Sequence, residues 1–193
     1  MSKFAFLDRD GVINFDHGYV YDISNFVFLP GIFDFCRSLI NLDYSIAIVT
    51  NQSGIARGYY TIDQYQSLTS WMLGKFSENN VQITTIKFCP YHEQGVVPEY
   101  TQQSYDRKPY PGMIMKCFQE YNINVYNSFI IGDKLTDLLA GKAANLSRGI
   151  LFDPQSKFSL TDISRITDKQ FNIGLVRSFN DAISFLSSST LHM

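Results

Sequence analysis

Residues 4–14 run Phe4-Ala5-Phe6-Leu7-Asp8-Arg9-Asp10-Gly11-Val12-Ile13-Asn14, a short apolar stretch that stops on two carboxylates separated by one residue. Side chains two apart on an extended backbone project to the same side, so Asp8 and Asp10 face the same space beyond the strand's carboxyl end. Two acids so close repel each other unless a positive charge intervenes. A hard divalent cation with oxygen ligands supplies that charge, and it leaves one carboxylate able to attack an electrophile such as phosphorus. Gly11 permits a sharp exit turn. An isolated Asp-x-Asp is more often a polar loop after a buried strand, so the weight falls on what the rest of the chain sets beside it.

Outward from this stretch, runs rich in β-branched and aromatic residues recur at 3–7, 44–49, 83–88, 128–131, 148–152 and 172–176, each the length of a buried strand. Helical patterns fall between them, over 31–41, 61–78, 111–121, 134–144 and 179–186. The alternation predicts an α/β protein, a Rossmann-like three-layer sandwich with a mainly parallel sheet covered on both faces. Thr61-Ile62-Asp63-Gln64 and Ser178-Phe179-Asn180-Asp181 carry the side chains of helix N-caps. Tyr65, Leu68, Met72 and Phe76 fall at helical spacing beside Trp71 and read as a core stripe. The polar stretch 153–170 reads as a long loop. A second irregular stretch at about 89–110, rich in Pro, Gly and Tyr, has the length of loops that carry function.

A chain of 193 residues, 45% hydrophobic and 18% charged, fits one domain over 1–193 with a sizeable core and no insert long enough for a separate cap domain. Its net charge of -2 offers no basic stripe, so neither nucleic acid nor an anionic membrane is expected as a partner. Cys36, Cys89 and Cys117 are an odd, scattered set of reduced thiols and not a disulfide framework. No apolar stretch reaches the roughly 18 residues that span a bilayer, and no charged, apolar leader precedes Asp8. A cytoplasmic monomer is expected.

In an open parallel sheet, ligands lie outside the carboxyl ends of the strands, so residues just past each strand belong together. The first strand delivers Asp8 and Asp10, the second Thr50-Asn51-Gln52-Ser53-Gly54, and the fourth Gly132-Asp133-Lys134-Leu135-Thr136-Asp137; the long loop ends in Arg107-Lys108-Pro109. A hydroxyl, an ammonium and several carboxylates are the parts that hold a phosphate beside a divalent cation. Each has a plainer alternative: Thr50-Asn51 as a turn, Lys108 as a surface charge, Asp133 as a helix cap, His17 as a loop histidine without a task.

Asp8-x-Asp10, Thr50, Lys108 and Gly132-Asp133-x-x-x-Asp137, in this order, resemble the four signatures of the haloacid dehalogenase (HAD) superfamily of phosphatases. Within it, residues 6–14, Asp16-His17-Gly18-Tyr19-Val20, Thr50 to Gly58 and Arg107-Lys108-Pro109-x-Pro111-Gly112-Met113 look like the D,D-heptose 1,7-bisphosphate 7-phosphatase group. The likeness covers almost the whole chain and weakens after about Phe152.

The resemblance implies the HAD fold and a Mg2+-dependent hydrolysis in which Asp8 is the nucleophile and Asp10 the proton carrier. Thr50, Asn51 and Lys108 would bind the phosphoryl group. Asp8, the Asp10 main-chain carbonyl and Asp133 would bind the metal. Asp16, His17, Gly18, Tyr19, Gln52, Ser53 and Arg107 would contact a small sugar-phosphate substrate. Asp137, one helical turn past Asp133, would orient ligands or Lys134.

Relatives hold a zinc in the long loop with a Cys-x-His and a Cys-x-Cys pair. This chain keeps Cys89 alone, with Tyr91, Ser104 and Asp106 at the other three positions, so zinc is not expected and the loop must be ordered by packing through Tyr91, Tyr100 and Tyr105. Three rivals stay open: a histidinol-phosphate phosphatase with the same chemistry, a phospho-acceptor receiver domain, and a non-catalytic sugar-phosphate binder.

Overall fold

The computed structural model describes residues 1–188. Six strands, β1 Lys3–Leu7, β2 Tyr44–Asn51, β3 Thr85–Cys89, β4 Phe129–Gly132, β5 Arg148–Phe152 and β6 Asn172–Val176, form one all-parallel sheet in the order β3-β2-β1-β4-β5-β6. The chain builds outward from β1 on one side, then crosses to β4 and builds outward on the other. The reversal leaves a crevice between the carboxyl ends of β1 and β4, where this architecture binds its ligands.

The sheet is buried on both faces, which is why its strands read as uninterrupted apolar runs and not as alternating ones. Ala5 and Leu7 of β1 join one core layer and Phe4 and Phe6 the other; Ile46 and Ile48 of β2 divide from Ala47 and Val49 in the same way. The first layer is covered by α1 Ile32–Asn41, α2 Ile62–Glu78 and α6 Phe179–Ser188. The second is covered by α3 Gly112–Glu120, α4 Leu135–Ala143 and α5 Leu160–Ser164. Each buried Leu, Ile or Phe contributes about 1.5–3 kcal/mol, so the paired layers dominate the stability of the sheet.

The cap signatures act as expected. Thr61 Oγ1 accepts from Gln64 N at 3.2 Å while Gln64 Oε1 accepts from Thr61 N at 2.9 Å, and Ser178 and Asp181 exchange equivalent bonds at 3.2 and 3.0 Å. Tyr65, Leu68, Met72 and Phe76 are buried.

Two expectations are corrected. The stretch 153–170 is not all loop, because α5 starts at a Ser159–Asp162 box with Ser159 N donating to Asp162 Oδ2 at 2.8 Å, and it carries Ile163 into the core. The second strand does not end at Val49: Thr50 and Asn51 pair with Phe88 and Cys89 of β3, so they are strand residues and not a turn.

Candidate active site

Because β2 continues through Asn51, residues at its end alternate in direction. Thr50 and Gln52 point to one side, and Asn51 to the other. Asn51 meets the backbone of Lys108: its Oδ1 accepts from Lys108 N and its Nδ2 donates to Lys108 O, both at 3.0 Å. The Asn51 side chain is thereby engaged with the long loop through both of its polar atoms.

That clamp delivers Lys108 into the crevice, where it is 4% exposed. Its ammonium has three donors and meets three acceptors: Asp8 Oδ1 at 2.9 Å, Asp137 Oδ1 at 2.6 Å and the Val49 carbonyl at 2.8 Å. Burial opposes its charge, but Asp137 and Asp8 outweigh that and raise its pKa, so it remains a cation. The surface alternative for Lys108 is thus excluded.

Asp8 is buried at the exit of β1, with its N–H donating to Ile131 O of β4 at 3.0 Å. Its Oδ1 takes Lys108 and the Arg9 N–H, the latter at 2.7 Å; among the described residues Oδ2 makes no hydrogen bond. Burial raises the Asp8 pKa, and Asp137 adds to the rise, against the opposing pull of Lys108.

Asp8, Asp133 and Asp137 each bring one carboxylate oxygen to within 4.8 Å of the others. Asp137 is committed elsewhere, since Oδ1 holds Lys108 and Oδ2 accepts from Lys134 N at 3.0 Å. Asp133 is less so: its Oδ2 lies 3.7 Å from Lys134 Nζ, its Oδ1 is buried without a hydrogen-bond partner among the described residues, and burial followed by the Asp8 charge pushes its pKa up to about 7. A hard cation coordinated by Asp8 and Asp133 satisfies that oxygen and offsets that repulsion, so the residues present fit a divalent ion with oxygen ligands. Gly11 makes room for the Asp133 carboxylate. A Cβ there would lie 2.3 Å from Asp133 Cγ, and the backbone turns at a φ of +88°.

The Asp10 side chain lies outside this acidic group. Oδ1 accepts from Arg9 Nε at 3.3 Å, Arg9 Nη2 at 3.0 Å and Asn14 Nδ2 at 3.0 Å, and Oδ2 from Arg9 Nη2 at 3.0 Å and Gln52 Nε2 at 3.1 Å. Arg9 is 1% exposed and also donates to the Val20 carbonyl at 2.6 Å. Sequence reasoning missed Arg9, Asn14 and Tyr60; a basic residue set between two acids at a strand exit is the signal that could have found the first. Gln52 is buried, and its amide bonds Asp10, Thr50 and Tyr60.

Of the remaining expected substrate residues, Asp16 and His17 line a cavity beside Asp133. Asp16 accepts from Lys134 Nζ and from Gly18 N, each at 2.9 Å, while His17 lies exposed over Phe15 with ring centroids 6.0 Å apart. Tyr19, exposed and with a φ of +53°, sets its ring edge to face with Tyr59 at 4.6 Å. Ser53 is half-buried and its carbonyl accepts from Arg57 N at 3.0 Å. Among the described residues Arg107 Nη1 and Arg57 Nε are buried without hydrogen-bond partners, and Arg57 Nη2 is 3.1 Å from His92 Nε2. A cavity of about 170 Å³ opens beside the acidic group, lined among others by Asp16, His17, Asp133 and Lys157.

In the long loop, Tyr91 and Tyr100 meet at 6.0 Å and Tyr105 and Tyr110 at 6.3 Å, and the Ala56 carbonyl binds Val96 N at 2.7 Å and Val97 N at 3.0 Å. Asp106 pairs with Lys116. Cys89 is buried, and burial raises its thiol pKa.

A family model described as HAD-hydrolase-like matches residues 105–153. The D-glycero-beta-D-manno-heptose-1,7-bisphosphate 7-phosphatase of Yersinia pestis is 45% identical over 146 residues, covering 76% of this chain and 78% of that one. Among solved structures, a HAD-like protein from Mesorhizobium loti aligns with a TM-score of 0.84 and 31% identity over 97% of this chain and 87% of its own. The D,D-heptose 1,7-bisphosphate phosphatase of B. bronchiseptica, solved with magnesium and phosphate, aligns over 97% and 99% of the two chains with a TM-score of 0.78; at 23% identity it is a likeness of fold. The chain belongs to the D-glycero-beta-D-manno-heptose-1,7-bisphosphate 7-phosphatase family of HAD-like hydrolases, and it is a phosphatase.

Proposed function

We propose that the chain removes the 7-phosphate of D-glycero-D-manno-heptose 1,7-bisphosphate through a phosphoryl group carried transiently on Asp8, with Mg2+ as cofactor. One observation carries this reading: Asp8 stands in the crevice with Lys108 at 2.9 Å and the Asp133 and Asp137 oxygens within 4.8 Å. A carboxylate and a phosphate dianion repel, so attack needs positive charge at the point of contact. The family membership supports the substrate. In this reading the described residues form one phosphatase domain, with 89–110 as a substrate-side loop and no separate cap.

Asp8 attacks phosphorus in line, forming an O–P bond as the bond from phosphorus to the sugar oxygen breaks. Asp10 gives a proton to the departing oxygen. Water then attacks the same phosphorus, Asp10 takes its proton, and the bond from phosphorus to Asp8 breaks to release inorganic phosphate. Thr50 Oγ1 and Lys108 Nζ hold the phosphoryl oxygens meanwhile. When bound by Asp8, Asp133 and the Asp10 carbonyl, Mg2+ offsets charge on those oxygens. Asp16, His17, Gly18 and Tyr19 contact the sugar beside Ser53, and Arg107, with Nη1 unpartnered among the described residues, takes the second phosphate as a planar fork.

The test is phosphate release from α- and β-heptose 1,7-bisphosphate and from histidinol phosphate, with and without Mg2+. Metal-dependent release from a heptose bisphosphate is expected, and Asp8→Asn should lower it by roughly a thousandfold or more without loss of fold. Near-normal turnover by that variant, or a preference for histidinol phosphate, overturns the reading.

A further inference from the structure

Gln52 is 1% exposed, and every polar atom of its side chain has a partner. The Tyr60 hydroxyl donates to Oε1 at 2.6 Å. Nε2 donates to Asp10 Oδ2 at 3.1 Å and to Thr50 Oγ1 at 2.9 Å. The directions are mutually required. A carboxylate oxygen accepts, so the nitrogen end of the amide faces Asp10 Oδ2, and the oxygen end then faces the Tyr60 hydroxyl, which burial keeps protonated and which donates to it. The nitrogen end then turns both of its hydrogens into the site, one to a carboxylate and one to a hydroxyl.

Tyr60 is held firmly enough to impose that orientation. It is 5% exposed and stacks on Tyr21 with centroids 5.1 Å and planes 16° apart. Its ring fills the space beside residue 54, where any Cβ would lie 2.1 Å from Tyr60 Cε1, so only glycine fits.

We propose that Gln52, oriented by Tyr60, is a positioning residue that aligns the proton carrier Asp10 and the phosphate-holding Thr50 through one amide. The inference rests on the roles of Asp10 and Thr50 in the proposed function and adds to them. Because Thr50 Oγ1 accepts from Gln52, its own O–H is released to donate to a phosphoryl oxygen. Because Asp10 Oδ2 shares the same nitrogen, carboxylate and hydroxyl hold a fixed separation while the phosphoryl group moves between Asp8 and water. A misplacement of about 1 Å at such a site costs on the order of a hundredfold in rate.

The experiment is a double-mutant cycle on phosphate release from heptose 1,7-bisphosphate with Mg2+, using Tyr60→Phe, Gln52→Met and the pair, with thermal melting of each protein. Gln52→Met should lower kcat by about a hundredfold and leave KM within about threefold, since Lys108 still holds the phosphate. Tyr60→Phe keeps the ring and should lower kcat by about tenfold. The double variant should be no slower than Gln52→Met alone, because Tyr60 acts only through that amide.

If Gln52→Met fails to fold, Gln52→Glu keeps the size and sets an acceptor against Asp10, and the same loss in kcat is expected. Multiplying losses in the double variant, a change confined to KM, or an unaltered kcat overturns the inference. A wild-type protein that releases no phosphate sinks the proposed function; an active wild type with an indifferent Gln52→Met sinks only this inference.

Discussion

Asp137 holds the Lys108 ammonium at 2.6 Å, closer than Asp8 does at 2.9 Å. The ion pair that prepares the site is therefore anchored from α4, on the far side of the crevice from the proposed nucleophile. Asp137 is 1% exposed, and its second oxygen caps the helix through Lys134 N. Asp137→Ala leaves the buried ammonium to Asp8, as its one remaining counter-charge, and to the Val49 carbonyl. Breaking a buried pair in this way costs about 3–5 kcal/mol, to be read from denaturant unfolding. The phosphate release of the folded fraction should fall at least tenfold, and unchanged stability would remove Asp137 from this role.

Asn51 grips Lys108 from the other end, through two backbone bonds of 3.0 Å. Asn51→Ala should cost roughly 1–3 kcal/mol and lower kcat more than it raises KM, because it frees the lysine backbone. Asn51→Asp restores only the bond from Lys108 N and turns an anionic oxygen toward the Lys108 carbonyl. It should do no better than alanine, and full activity in the aspartate variant would show that the clamp is dispensable.

Most of the sheet was readable because burial on both faces writes each strand as a continuous apolar run, and because Thr61 and Ser178 announce their helices. What escaped has physical causes. The five residues of α5 carry one buried side chain, Ile163, too few to show a period. The strand at 83–88 lies instead at Thr85–Cys89, since Ile83 packs on the core before the ladder begins. In the site, the carboxylates and Lys108 were recognisable from order and spacing, but their partners were not. Thr50, Asn51 and Gln52 are consecutive polar residues, and only the continuation of β2 decides that the first and third share a side while the second turns to Lys108.

The ends of β5 and β6 are tied by Asp153, buried beside Arg177. Burial alone would raise the Asp153 pKa, but the Lys157 and Phe158 amides at 2.9 and 2.8 Å, together with Arg177, outweigh it and hold the carboxyl below its ordinary range. A group depressed in the folded state stabilises above its unfolded pKa of about 3.9, and that contribution fades as pH falls through the folded value. Asp153→Asn should therefore be clearly less stable than wild type at pH 6, with the gap in melting temperature closing toward pH 3. A gap independent of pH would mean that the charge does not contribute.

Gly11 gives the sharpest test of the acidic group that would hold the metal. At a φ of +88° an alanine is strained by about 1–2 kcal/mol, a loss the two-layered core can absorb. The larger effect is local. The new Cβ would lie 2.3 Å from both Asp133 Cγ and Asp133 Oδ2, so the carboxylate must move while the Lys108 contacts to Asp8 and Asp137 remain. Displacing one ligand by such a push typically weakens metal affinity by about 10–100-fold. Gly11→Ala should then need correspondingly more Mg2+ for half-maximal phosphate release and recover part of its rate at high metal. An unchanged Mg2+ requirement would show that Asp133 does not hold the ion, whereas a rate that no metal concentration restores would place the damage at Asp8.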